Sequence, residues 1–200
     1  AEAIPILEES GLIIPVGKWI IQNAFSMCTE CRKYYPEFRV SINLSYVQIL
    51  KSPLMMELKQ MIECSGISCS GIIVELTESG YLEGTPAVRS VWNDMKQLRI
   101  QIALDDFGTG YSNLMNISNL EPDIVKLDRG FTLKALSRSY EYQLMQYVIE
   151  MVHKLNQYVC VEGVETKEDL EKIKALGPDL IQGYYYSKPC SRDEFLKKFF

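Results

Sequence analysis

The stretch IALDDFGTGYSNL, residues 102–114, sets Asp105 and Asp106 side by side where an apolar run meets glycine. Adjacent carboxylates repel, so two kept together at a strand end belong either to a solvated turn or to a cation site. Other apolar runs end in similar residues: Asn43, Glu75, Lys126 with Asp128, Glu162, and Gln182. The set offers carboxylates, amides and one ammonium, with no imidazole or thiol among them. Oxygen donors of this kind suit a hard divalent cation, Mg²⁺ or Mn²⁺. Two neighbouring aspartates can serve two ions, one side chain bridging and the other closing the second site. Two ions about 3.5–4 Å apart are a known device for cleaving a phosphodiester, since they activate water and stabilise the attacking and leaving oxygens.

For these residues to act together, the chain must gather its strand ends. Short apolar runs alternate with stretches of helical period: FRVSIN (38–43), IIVEL (72–76), the run 100–106, DIVKLD (123–128), YVCVEG (158–163) and DLIQG (179–183). Thr85 and Pro86 predict a capped helix start, followed by Val88, Val91, Trp92, Met95 and Leu98 on one face. Thr166 and Asp169 have capping-box spacing, Leu170, Ile173 and Leu176 follow, and Gly177 is placed to stop that helix. Residues 139–155 predict another helix. Repeated strand–helix units predict a parallel sheet covered by helices, and six without a linker predict a barrel in a single α/β domain spanning 1–200. Strand alternation puts Ser41 with Asn43, Ala103 with Asp105, Lys126 with Asp128, and Cys160 with Glu162. In a (β/α)8 barrel such ends converge on the mouth where active sites are built.

Composition narrows the function classes. Lys and Arg total 21 against 26 Asp and Glu, so a broad basic surface for DNA or an anionic membrane is not expected. No apolar run is long enough to span a membrane. Cys28 and Cys31 form the one C-x-x-C, inside a predicted helix, and with Cys64, Cys69, Cys160 and Cys190 read as reduced thiols of a cytoplasmic protein rather than zinc ligands. That protein is expected either free or as the cytoplasmic part of a membrane-anchored parent. The single histidine, His153, reads as structural. Tyr184, Tyr185 and Tyr186 read as packing by alternation, with stacking on a base as the other use of the rings.

Six segments, in order and spacing, resemble the motif series of EAL domains: SINLS (41–45), VELTES (74–79), DDFGTGYSNL (105–114), VKLDRGF (125–131), VEGVET (161–166) and QGYYYSKP (182–189). IPILEESGLI (4–13) is similar to the segment before that family's long early helix. These are bacterial phosphodiesterases that hydrolyse cyclic di-GMP to linear pGpG. The Glu-Ala-Leu that names the family is absent from the chain, together with its neighbouring Arg. Barrels of this type need about 250 residues, so the resemblance implies a TIM-like (β/α)8 barrel lacking its first strand or two.

The resemblance also implies roles. Asn43, Glu75 and Asp105 would bind a first metal, and Asp105, Asp106 and Glu162 a second. Lys126 would orient and help deprotonate the attacking water, with Asp128 holding the lysine; Glu162 is also a candidate base. Gln182 would meet the metal-bound water or the substrate. Glu78 would anchor the 107–114 loop, which carries Thr109 and couples the metal site to a homodimer interface. Glu165 lies close by with no assigned role. Mg²⁺ or Mn²⁺ would support activity and Ca²⁺ would inhibit it. Sensor or diguanylate-cyclase-like domains are expected in the parent protein. Two other readings stand beside this one: a catalytically silent domain that binds the same nucleotide or a protein, and an unrelated metal-dependent barrel enzyme that abstracts a proton next to a carboxylate.

Overall fold

The computed structural model describes residues 3–77, 85–109 and 120–200. Glu78, and residues 110–114 of the expected coupling loop, lie outside them. Among the described residues the order is α1 (Ala3–Ser10), α2 (Ile13–Cys31), β1 (Val40–Asn43), α3 (Tyr46–Lys51), α4 (Leu54–Ser65), β2 (Ile72–Thr77), α5 (Pro86–Gln97), β3 (Gln101–Phe107), β4 (Ile124–Leu127), α6 (Arg129–Ser137), α7 (Ser139–Lys154), β5 (Tyr158–Val161), α8 (Lys167–Lys174), β6 (Leu180–Ile181) and α9 (Arg192–Phe199). The sheet runs β1-β2-β3-β4-β5-β6, and the pairs β1–β2, β3–β4, β4–β5 and β5–β6 are parallel. This is the α/β architecture that the alternating pattern predicts. No helix among the described residues is long and apolar enough to cross a membrane.

The chain groups into two compact units. In the first, which includes α1 to α5, β1, β2 and α9, helix α2 buries Ile21, Phe25 and Cys28 and packs on α4, which buries Leu54, Leu58 and Met61. Strand β2 is buried from Ile72 to Leu76, as expected for a parallel strand covered on both faces. Helix α5 starts at the Thr85 cap with Pro86 in its first turn and turns Val88, Trp92 and Met95 inward. Helix α3 starts with a capping box between Ser45 and Gln48. The buried Gln48 amide lies against Gly17 of α2, where any Cβ would collide with it.

The second unit holds β3 from Ala103, then β4, β5, β6 and helices α6, α7 and α8. All four residues of β4 are buried, the lysine included. Helix α7 turns Met145, Ile149 and Val152 inward, and α8 starts on the Thr166–Asp169 capping box. His153 Nε2 lies 2.8 Å from Asp179 Oδ2, which also accepts the Val159 N–H at 2.8 Å. The histidine thus ties the end of α7 to the starts of β5 and β6, the structural role expected of it. Strands β1, β4, β5 and β6 are each two or three residues shorter than predicted. β5 stops at Val161 because Gly163, at φ +79°, leaves the extended region. β6 keeps only Leu180 and Ile181, and the tyrosines beyond it are off the sheet.

All six cysteines are free. Burial pushes the thiols of Cys28 and Cys31 above their ordinary range. At pH 8 the exposed Cys64 and Cys190 should therefore react with a thiol reagent in the folded protein, while Cys28 and Cys31 should react only after denaturation. Alkylation read residue by residue by mass spectrometry checks this; native labelling of Cys28 at the rate of Cys64 would contradict the packing of α2.

Candidate functional site

The two aspartates sit on a break in the sheet. Leu104 pairs with Val125 and Phe107 with Leu127, so β3 spends one more residue than β4 across this interval. Such a bulge interrupts strict alternation. Asp106 takes φ +61°, a left-handed conformation that Asp tolerates better than most residues. Its N–H donates to Asp105 Oδ1 at 3.0 Å. Asp105 is mostly buried and Asp106 exposed, while Leu104 and Phe107 on either side belong to the core. The inserted residue lets two neighbouring carboxylates stand between two anchored apolar residues. The loop continues through Thr109, whose hydroxyl donates to the Asp106 carbonyl at 3.1 Å.

Lys126, on the neighbouring strand, is 4% exposed. Its Nζ lies 3.0 Å from Asp105 Oδ1 and 2.6 Å from Glu162 Oε1. Glu162 is the first residue past β5, and its N–H donates to the Leu127 carbonyl at 3.1 Å. Three successive strands thus contribute a carboxylate, an ammonium and a carboxylate, with the cation in the middle. A buried ammonium requires such partners, since an unpaired charge in the interior is very costly.

Asp128 is placed differently from its expected role. Its Oδ1 accepts from the N–H groups of Gly130 at 2.7 Å and Phe131 at 3.3 Å. It caps α6, and the lysine is held instead by Asp105 and Glu162. Glu165 pairs with Arg129 at 2.6 Å on the rim. Gln182 donates its N–H to the Val161 carbonyl at 2.9 Å, with its residue exposed. Tyr184, Tyr185 and Tyr186 are not packed in the core: they are 53%, 39% and 44% exposed, beside the same end of the sheet. The chain turns off β6 at Gly183, whose carbonyl accepts from the Tyr186 N–H at 3.1 Å and where any Cβ would collide with the Val164 carbonyl.

In the first unit, Asn43 stands opposite Glu75 in the β1–β2 register. Glu75 is buried and accepts a hydrogen bond from the Ser41 hydroxyl. Sequence reasoning put Ser41 on the Asn43 face but gave it no partner. It also passed over Arg129, which stands in VKLDRGF beside the aspartate it singled out.

The donor chemistry fits a divalent cation. Asp105 and Glu162 converge on one positive charge, and the buried Glu75 carboxylate and the Asn43 amide are likewise hard oxygen donors. Among the described residues no three His, Cys, Asp or Glu side chains form a ready-made cage; the two that converge do so on Lys126.

The chain matches the family model described as the EAL domain over residues 1–189. It is 33% identical to the cyclic di-GMP phosphodiesterase PdeR of Escherichia coli K12, an alignment covering 93% of this chain and 28% of PdeR. It is 31% identical to PdeF of the same organism, covering 93% of this chain and 25% of PdeF. The chain therefore spans about a quarter of the length of these curated relatives. Among solved structures, the EAL enzyme Bd1971 in its cAMP- and cyclic-di-GMP-bound form superposes with a TM-score of 0.92 at 30% identity, covering 98% of this chain and 55% of that one.

Removing the central cation should leave two carboxylates facing each other. Lys126→Met is expected to lower the free energy of unfolding by about 3 kcal/mol, and adding Glu162→Gln to restore at least about half of that loss. Urea unfolding of the single and double variants measures both. An equal loss in the two would show that the carboxylates do not depend on the ammonium.

Proposed function

The chain belongs to the EAL domain family, and from that premise we propose that it hydrolyses cyclic di-GMP to linear pGpG in a reaction that needs a divalent metal. The observation that chiefly supports this reading is the buried Lys126 held between Asp105 and Glu162. A structural ion pair could be replaced by apolar residues without loss of stability, whereas chemistry on a phosphodiester needs both signs of charge in one place.

In this reading Asn43, Glu75 and Asp105 are the ligands of one ion, and Asp105, Asp106 and Glu162 those of a second. When bound, the cations supply positive charge against the phosphodiester and make water easier to ionise. The chain's own groups do the rest. Lys126 orients the attacking water, and Glu162 accepts its proton. Water adds to phosphorus as one bond from phosphorus to a ribose 3′ oxygen breaks, and that oxygen takes up a proton. Asp128 contributes by fixing the start of α6 directly after the lysine strand. Gln182 and the exposed tyrosines lie beside the same strand end, where a nucleotide would extend. Homodimerisation through the 107–114 region and fusion to sensor or cyclase-like domains belong to the same proposal.

The test is pGpG formation followed over time. Mg²⁺ or Mn²⁺ should support turnover, Ca²⁺ should compete without supporting it, and excess chelator should stop it. Asp105→Asn should lower the rate at least about a hundredfold, because the lost charge serves both ions and the lysine. Undiminished hydrolysis in chelator would sink the metal-dependent reading. Tight nucleotide binding with no turnover under any of these metals would leave the silent-receptor reading in its place.

A further inference from the structure

Glu162 is one of the two carboxylates that meet Lys126. It lies past the end of β5, and Gly163, at φ +79°, follows it directly. On one side the Glu162 N–H bonds to the Leu127 carbonyl at 3.1 Å. On the other, the Val164 N–H bonds to the Gln182 carbonyl at 3.3 Å, and the Val164 carbonyl accepts from Tyr185 at 3.0 Å. The Arg129 side chain lies against the turn between these anchors. Arg129, the first residue of α6, lays its Cβ and Cγ over Gly163 so closely that any Cβ there would collide with them. Its Nη2 then reaches past the glycine to Glu165 Oε1 at 2.6 Å.

We propose that Arg129 is a positioning residue: its stem covers Gly163, its guanidinium grips Glu165, and together they fix the 162–165 turn so that the Glu162 carboxylate meets Lys126. The pair is well exposed, at 58% for the Arg129 side chain and 39% for Glu165, so it adds little to overall stability. Its value is geometric. Misplacing a reacting group by about 1 Å can cost a hundredfold in rate. The guanidinium is engaged with a carboxylate through Nη2, which sets this role apart from that of a free phosphate ligand. The clamp also gives Glu165 a function, as the far end of the grip.

The kinetic arm of the test rests on the phosphodiesterase reading; a second arm does not. Arg129→Ala and Glu165→Gln in the full chain are each expected to lower kcat about tenfold, a moderate share of the cost of misorientation, with KM within about twofold. Arg129→Lys, which keeps charge and stem but loses the fork, should fall between. The swap Arg129→Glu with Glu165→Arg should recover at least about threefold over Arg129→Glu alone. Amide hydrogen exchange of residues 162–166, followed without nucleotide or metal, should quicken at least about fivefold in Arg129→Ala while the thermal midpoint holds. A raised KM with unchanged kcat would make Arg129 a substrate ligand and overturn the proposal. So would exchange identical to wild type. If the wild-type chain shows no turnover, the phosphodiesterase reading fails, and the exchange result alone decides whether the clamp exists.

Discussion

A lysine ammonium this deeply buried has to be neutralised where it stands, and much of the second unit follows from that requirement. Lys126 lies on the middle strand of three, so its counter-charges must come from the strands on either side. In a parallel sheet with successive strands adjacent, both neighbours present their carboxyl ends at the same edge. Asp105 and Glu162 therefore reach the lysine without a loop of special length. The same requirement makes the shape of both neighbouring strand ends consequential. One carries a bulge, and the other breaks into a left-handed glycine within two residues of its end.

The helix that follows Lys126 is fixed by the same short stretch. Asp128 gives its carboxylate to two N–H groups of the first turn, a cap worth about 1 kcal/mol. Arg129 follows at once, and so starts from a backbone that the cap already holds. Lysine, cap and clamp stand on alternate or adjacent residues of one segment, so a shift of β4 would disturb all three. The opposite end of the unit has its own fastening. Asp179, shared by His153 and the Val159 N–H, holds the starts of the strands far from the charged end.

Where the sequence was informative, the signal was local or periodic. The Thr85 and Thr166 caps, the inward faces of α5 and α8, and the parallel order of strands all rest on spacing that a linear chain displays directly. The strand-end residues were legible for the same reason, since a polar residue closing an apolar run is visible without a structure. What escaped was set by contacts between distant segments or by competition between partners. Asp128 had two plausible employers, the lysine two residues back and the amides just ahead, and the nearer backbone donors win because they are already oriented. The tyrosine run was read by an alternation that holds only while a strand lasts, and β6 is two residues long. The grip of Arg129 on Glu165 spans 36 positions and has no periodic signature.

The bulge at Asp105 and Asp106 has a meaning for how this chain tolerates changes in length. The strand carries one residue more than its partner can pair, and that surplus includes a backbone in the left-handed region. Removing one of the two aspartates would let β3 run straight, with Leu104 and Phe107 each moved to a regular position. The ladder would gain order from the loss. A single-codon deletion here is thus a different kind of event from a substitution: it offers the sheet a more regular register while taking away one of two adjacent carboxylates.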